Sequence, residues 1–330
     1  MHGLQRPDSC IFGLGSECKG PPEFEQRLAE LANRCSARQQ RAYSIARNSS
    51  CPSSHWNQQL APLLAADEMT FVNVGANKGF AVAAFMQLFA AGWNTSFMSW
   101  KHELKAVRTI TSCGVCGACS SPNLVKVPKT ATVINAVAVE FLSANVALLE
   151  HNFKKFGVRG GVVVHGAAGS DTHAIAFEPA DFSFKGMEQG IASASNRGKP
   201  VPSVTVDALA ANRSLKTIDW LSVDTEGHDA LVLQGASSML REKRIRLIEF
   251  EYHHRGHWHH EQSLKETILH LDRHGYRCYW QGKHGAIGSA TDWCPAFEFR
   301  SMSNVVCALA ESPLEAALAK MESDGAGKVM

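Results

Sequence analysis

Two short stretches of this chain concentrate the residue types that hold a charged ligand or move a proton. The first is Asn73-Val-Gly75-Ala-Asn77-Lys-Gly79, which overlaps the end of the apolar run Thr70 to Val74. Glycines at such a turn let backbone pass close to a ligand where a Cβ would block it. The apolar run 80–91 that follows reads as a helix. Its N-terminus would offer unpaired N–H groups and a partial positive charge, a setting that suits a carboxylate. The second stretch is Asp224-Thr-Glu226-Gly-His228-Asp229, just past the buried run Trp220 to Val223. Asp224 or Thr225 can serve simply as a helix cap. Three acids and a histidine in six residues exceed what a cap needs, and charge clustered in a cleft marks a candidate site.

Glu140 closes the run Val133 to Val139, where a carboxylate can accept hydrogen bonds from two ribose hydroxyls. Glu251 opens a segment with five histidines, from His253 to His260. His253 and His257, spaced i and i+4, can share a helix face as metal ligands. Asp224, Glu226 and Glu251 offer oxygens to a hard cation. The same residues also read as a polar loop at a pocket mouth, and no metal is assigned. Cys113, Cys116 and Cys119 lack an obvious fourth zinc ligand. His102 or a leader cysteine can complete a zinc set, and disulfides with Cys35 or Cys51 account for these cysteines equally well.

These residues need elements to position them, and the hydrophobic pattern supplies an alternation of strands and helices. Strands are expected at 70–74, 133–139, 162–164, 220–223, 245–250, 276–280 and 304–309. Strand-like pieces also stand at 174–177 and 203–206. Helices are expected at 80–91, at 142–153 with Gly157 as C-terminal cap, at 229–240, and around Leu264 to Leu271. This order implies a Rossmann-like α/β fold, a doubly wound and mostly parallel sheet of seven strands. Ligands in such sheets lie beyond the carboxyl ends of the strands, where strand order reverses. The G-x-G-x-x-G fingerprint of NAD-binding folds is absent.

Residues 1–65 read as an N-terminal appendage containing one amphipathic helix, Glu23 to Arg47. Residues 66–312 form the main domain, interrupted by an insert at 93–131, and 313–330 form a tail. Lys and Arg number 33 against 31 Asp and Glu, without long runs of one sign. A nucleic-acid partner is therefore not expected. The run 80–91 falls short of the ~20 residues of a membrane-spanning helix, and the start shows no signal-peptide pattern. Ten cysteines and the sequons at Asn48, Asn94 and Asn212 point to a secretory compartment, against a cytoplasmic alternative.

The two stretches together carry a resemblance. Phe-Val-Asn-Val-Gly-Ala-Asn-Lys-Gly at 71–79 is similar to the Val-Asp-Val-Gly-Ala-Asn-x-Gly motif of FkbM-family methyltransferases. Residues 218–229, Ile-Asp-Trp-Leu-Ser-Val-Asp-Thr-Glu-Gly-His-Asp, resemble the family's Leu-Lys-Ile-Asp-x-Glu-Gly-x-Glu. Leu231 to Ala236 match the Val-Leu-x-Gly-Ala that continues it, and Val204 to Leu209 resemble the preceding Thr-Leu-Asp segment. Asn73 stands where the family has Asp, Phe141 where Pro usually follows the acid, and the insert has no counterpart.

The resemblance implies S-adenosyl-L-methionine as cofactor and methylation of a hydroxyl on a glycan or small metabolite. By it, Gly75, Asn77 and Gly79 hold the methionine part, with Asn73 beside them. Glu140 holds the ribose, Ala167 and Ala168 border the adenine, and Asp224 closes the cofactor side. Aligning and deprotonating an acceptor falls to Glu226, Glu251 and His228, with His253 behind them. A non-catalytic cofactor-binding or interaction module on the same fold is the alternative.

Overall fold

A computed structural model of the chain describes residues 22–47, 55–107, 130–158, 160–179, 198–254 and 256–325. Cys113, Cys116, Cys119, Cys51 and the Asn48 sequon lie outside them, so the zinc reading of the cysteine triplet and its pairing with Cys51 fall outside the described residues. Two helices, α1 (Pro22–Asn33) and α2 (Ala37–Arg47), stand where one was expected. They part at a reciprocal cap: Ser36 N–H donates to Gln39 Oε1 at 2.8 Å, and Gln39 N–H donates to Ser36 Oγ at 3.3 Å. Next come α3 (His55–Leu64), β1 (Glu68–Val74), α4 (Phe80–Phe89) and α5 (Phe97–Val107). They are followed by β2 (Val133–Glu140), α6 (Ser143–Phe156), β3 (Val162–His165) and β4 (Ala167–Ala168). Gly157, in a left-handed conformation, caps α6.

The next elements are β5 (Ile175–Pro179), β6 (Gly198–Val204), α7 (Val206–Asn212) and β7 (Ile218–Val223). The helix expected over 229–240 is two, α8 (Asp229–Gln234) and α9 (Ser237–Arg241). Asp207 caps the second: its carboxylate accepts from Ser238 N–H at 2.8 Å and Met239 N–H at 3.0 Å. The chain closes with β8 (Ile245–Tyr252), α10 (His257–His260), α11 (Leu264–Arg273), β9 (Tyr276–Gln281), β10 (Ile287–Ser289), β11 (Ser303–Leu309) and α12 (Pro313–Gly325). No described helix is long and apolar enough to cross a membrane.

The main sheet runs β10-β9-β11-β8-β7-β1-β2-β3. β3, β2, β1, β7 and β8 are parallel, and β11, β9 and β10 pair antiparallel beyond them. The fold is thus the expected Rossmann-like, mostly parallel α/β sheet. The short β10 adds an eighth strand, and β4, β6 and β5 form a separate small sheet.

Alternate residues of each central strand feed two cores. Phe71, Ala138, Trp220, Leu247 and Val306 face the one built with α3, α4, α5, α6 and α12. Val72, Val137, Leu221, Ile248 and Val305 face the one built with α8, α9 and α11. Burial on both faces explains why these strands read as continuous apolar runs.

The second core also takes in Leu28, Ala32, Ala42 and Ala46 of α1 and α2. The leader helices therefore pack with the sheet domain. Arg38 clamps Glu322 of α12 through two hydrogen bonds, at 2.9 and 2.6 Å. A disulfide joins Cys35, at the α1–α2 turn, to Cys294. Cys35 is thereby withdrawn from the pairing with Cys113, Cys116 or Cys119 considered above. A second disulfide, Cys278–Cys307, links facing residues of β9 and β11.

Candidate active site

Strand order reverses between β1 and β7, and there the first two motifs meet. Asp224 N–H donates to Val74 O at 2.9 Å, and Gly75 and Ala76 donate to Val139 O. Gly75 has φ +78°, and a Cβ on it would lie 1.7 Å from Asp224 O. The two strands approach this closely only because position 75 lacks a side chain. Asn77 and Gly79 are also left-handed, at φ 48° and 77°. Such backbone is costly for a non-glycine residue and tends to cluster at functional sites. Helix α4 begins at this turn with no side-chain cap.

Glu140, at the end of β2, is buried. Its Oε2 accepts from Asn77 N–H at 2.6 Å and its Oε1 from Leu142 N–H at 2.8 Å. Burial raises its pKa, and these hydrogen bonds oppose the rise. One carboxylate therefore ties the glycine turn to β2, despite the long insert between them. Part of that insert supports the same turn from below. Trp100 of α5 is fully buried, and its indole N–H donates to Lys78 O at 2.9 Å. Asn73 is buried as well, and its Oδ1 has no hydrogen-bond partner among the described residues.

Past β7 and β8 lies a second cluster. Asp229 is fully buried. Its Oδ2 accepts from Thr225 Oγ1 at 3.0 Å and Gly227 N–H at 3.3 Å, and its Oδ1 accepts from Glu251 N–H at 3.2 Å. Burial raises its pKa, opposed mainly by the charge of nearby His253. Asp229 thus pins the loop carrying Glu226 to the end of β8, which carries Glu251, and the ligand atoms of Glu226, Glu251 and His253 lie within 4.8 Å of one another. Asp224 is exposed at the mouth of this edge.

His228 is set apart from that trio. Its ring packs edge-on against His257 at 4.2 Å and lines a pocket of about 270 Å³ with Ala167, Ala168, Phe177 and Leu231. Ala167 and Ala168, the two alanines expected at the adenine, are on the wall of this pocket. His253 and His257 do not share a helix face: His253 directly follows β8, whereas His257 begins α10 and bonds Glu261 through Nδ1. The i, i+4 metal pair of the sequence reading is therefore not formed. Asp229 belongs to the acidic stretch read from sequence, but its bridge to Glu251 and the bond of Trp100 to Lys78 join different elements and carry no local signal.

Burial, then the charge of His257, pushes the His228 pKa down to about 4. An unfolded histidine titrates near 6.5, so the unfolded chain binds the extra proton as pH falls from there towards 4. The stability this group preserves above pH 6.5 is lost across that window, by about 3 kcal/mol at pH 4. Urea unfolding of wild type and His228→Gln checks this. Between pH 7.5 and 4 the wild type should lose about 3 kcal/mol more than the variant. Parallel pH profiles would rule out a buried neutral imidazole.

The sequence matches the Methyltransferase FkbM domain over residues 73–278. No curated protein matches it. Among solved structures, it is similar to methyltransferase FkbM from Methylobacillus flagellatus KT, at 12% identity and TM-score 0.41. That match covers 86% of this chain and 59% of the other, so this chain spans about three-fifths of that protein. An O-methyltransferase from Bacillus cereus in complex with SAH matches at 9% identity and TM-score 0.30, covering 88% and 91% of the two chains. TrmK of M. capricolum, in complex with S-adenosyl-homocysteine, matches at 9% and 0.31, covering 79% and 70%. Likeness at this level adds nothing to the domain match, which spans more than half of the sequence: the chain belongs to the FkbM methyltransferase family.

Proposed function

We propose that this protein transfers a methyl group from S-adenosyl-L-methionine to a hydroxyl oxygen of a glycan or small metabolite. The observation that carries the reading is the convergence at the switch point. The left-handed turn Gly75–Gly79, the uncapped start of α4 and the Glu140 carboxylate are held together by the Asn77–Glu140 hydrogen bond. These groups fit the cofactor's parts. The α4 N-terminus suits the methionine carboxylate. Asn73 Oδ1, a buried acceptor with no partner among the described residues, suits the ammonium. Glu140 suits the ribose hydroxyls, and the pocket beside Ala167 and Ala168 suits the adenine ring.

When bound, S-adenosyl-L-methionine supplies an electrophilic methyl on a sulfonium. The chain must orient the acceptor oxygen in line with it and receive the hydroxyl proton. Glu226 and Glu251 take that role, the first just past β7 and the second at the end of β8, with Asp224 closing the cofactor side. His228 stands on the pocket wall, and its low pKa keeps it neutral at pH 7. The two disulfides and the exposed sequon residues Asn94 and Asn212 suit an oxidising, secretory setting. That setting favours the glycan acceptor.

Calorimetric titration of the purified chain with S-adenosylhomocysteine tests the reading. Binding at micromolar Kd is expected. No binding by a folded, monodisperse protein would overturn it. Binding without methyl transfer to any member of a broad glycan and metabolite panel would favour the non-catalytic module.

A further inference from the structure

The trio Glu226, Glu251 and His253 combines two carboxylates and an imidazole, and their ligand atoms lie within 4.8 Å of one another. His253 Nε2 stands 3.3 Å from Glu251 Oε2. We propose that these three residues bind a first-row divalent cation of the Mn2+ or Zn2+ class, leaving open positions for an oxygen from outside the protein.

The surroundings resemble a built site more than a chance meeting of side chains. Metal ligands work when outer hydrogen bonds fix their positions. Here Glu251 is held at both backbone ends: its N–H donates to Asp229 at 3.2 Å, and its carbonyl accepts from the Trp258 indole at 3.1 Å. Both of these partners are fully buried. The same Asp229 accepts from Gly227 N–H, next to Glu226. Glu226 itself is left-handed, at φ 54°. Gly256, just after His253, packs so closely on this turn that a Cβ there would lie 2.6 Å from Glu226 O. His257 N–H also donates to Gly227 O at 3.1 Å. The loop after β7 and the end of β8 are therefore locked face to face, and each contributes ligands.

The donor set narrows the ion. Mg2+ and Ca2+ favour all-oxygen shells, whereas an imidazole with carboxylates suits Mn2+, Zn2+ or their first-row neighbours. Bonds of about 2.1 Å place adjacent ligands roughly 3 to 4 Å apart. Closing from 4.8 Å needs only a small side-chain rotation. Three protein ligands with open positions is the arrangement of catalytic rather than structural sites. His253 is 2% exposed and Glu226 half-buried, so the ion would sit with one side towards the cleft. On the methyl-transfer reading, an open position would take the acceptor hydroxyl, the cation would lower that hydroxyl's pKa, and the carboxylate oxygen of Glu226 or Glu251 that does not face the ion would receive its proton. This last role rests on the proposed function, but the binding site itself does not.

The test uses the full chain after removal of metal with a chelator. Free Mn2+ is followed by electron paramagnetic resonance and Zn2+ by calorimetry, for wild type, Glu226→Gln and His253→Gln. Thermal melts check that each variant is folded. We expect one equivalent of either ion per wild-type chain, with affinity lowered tenfold or more in each folded variant. Mg2+ at the same concentration should not compete. No stoichiometric binding by the folded wild type overturns the proposal and leaves Glu251 and His253 as a plain ion pair. Binding unchanged in both variants also overturns it, placing the ion elsewhere. A parallel titration with S-adenosylhomocysteine separates the two readings. Cofactor binding without metal sinks only the cation site, and metal binding without cofactor sinks only the methyltransferase reading.

Discussion

Gly75→Ala should destabilise the protein by about 3–5 kcal/mol and remove S-adenosylhomocysteine binding from the fraction that folds. Two costs add. An alanine at φ +78° carries about 1–2 kcal/mol of left-handed strain. Its Cβ would also lie 1.7 Å from Asp224 O, a backbone atom that cannot swing aside. Relief requires β1 and β7 to part at their carboxyl ends, which opens the switch point itself.

Two controls separate the terms. Gly92 has φ +72° with nothing within 4 Å, so Gly92→Ala should cost only the strain, about 1 kcal/mol. At Gly79 a Cβ would meet the side chains of Leu149 and Trp100 at 2.7 and 2.8 Å, and side chains can shift. Gly79→Ala should therefore fall between, at about 2–3 kcal/mol. Urea unfolding of the three variants gives the order. A Gly75→Ala cost equal to that of Gly92→Ala would show that β1 and β7 are not in contact there.

Glu140→Gln should weaken S-adenosylhomocysteine binding by about 10- to 100-fold, a loss of roughly 1.5–3 kcal/mol for hydrogen bonds from a charged acceptor. The substitution looks mild but reverses a hydrogen bond. Glu140 accepts at both oxygens, from Asn77 N–H on one side and Leu142 N–H on the other. An amide has one acceptor, so its NH2 must face a backbone N–H, and a buried donor is left unpaired. The glycine turn then loosens even without ligand. Thermal melts should show a lower Tm for Glu140→Gln, and calorimetry the weaker binding. Unchanged affinity would mean that the ribose is held elsewhere and that Glu140 serves only as the strap on the turn.

The sequence alone determined the alternation of elements and most of what ends each strand. β1, β2 and β7 are apolar on both faces, so their runs announced a sheet covered on both sides. Gly75, Glu140 and Asp224 were legible because they end such runs. Two caps divide helices that the apolar pattern runs together, one local and one from a distant element. Ser36–Gln39 is a capping pair that splits the leader helix, and Asp207 caps α9 from another element.

The tertiary structure decided everything that depends on distant parts of the chain meeting. Cys35 pairs with Cys294, 259 residues away, and no spacing rule selects that partner among ten cysteines. The apolar stripes of α1 and α2 show that they cover something, not that they cover the sheet beside β9 and β10. Glu226 and Glu251 are both acids at strand ends, but only the β7–β8 pairing and the Asp229 bridge place them with His253. A local pattern records whether a residue is buried or exposed, because burial repeats with the period of its own element. It does not record which element lies opposite, because that is set by how the whole sheet is wound.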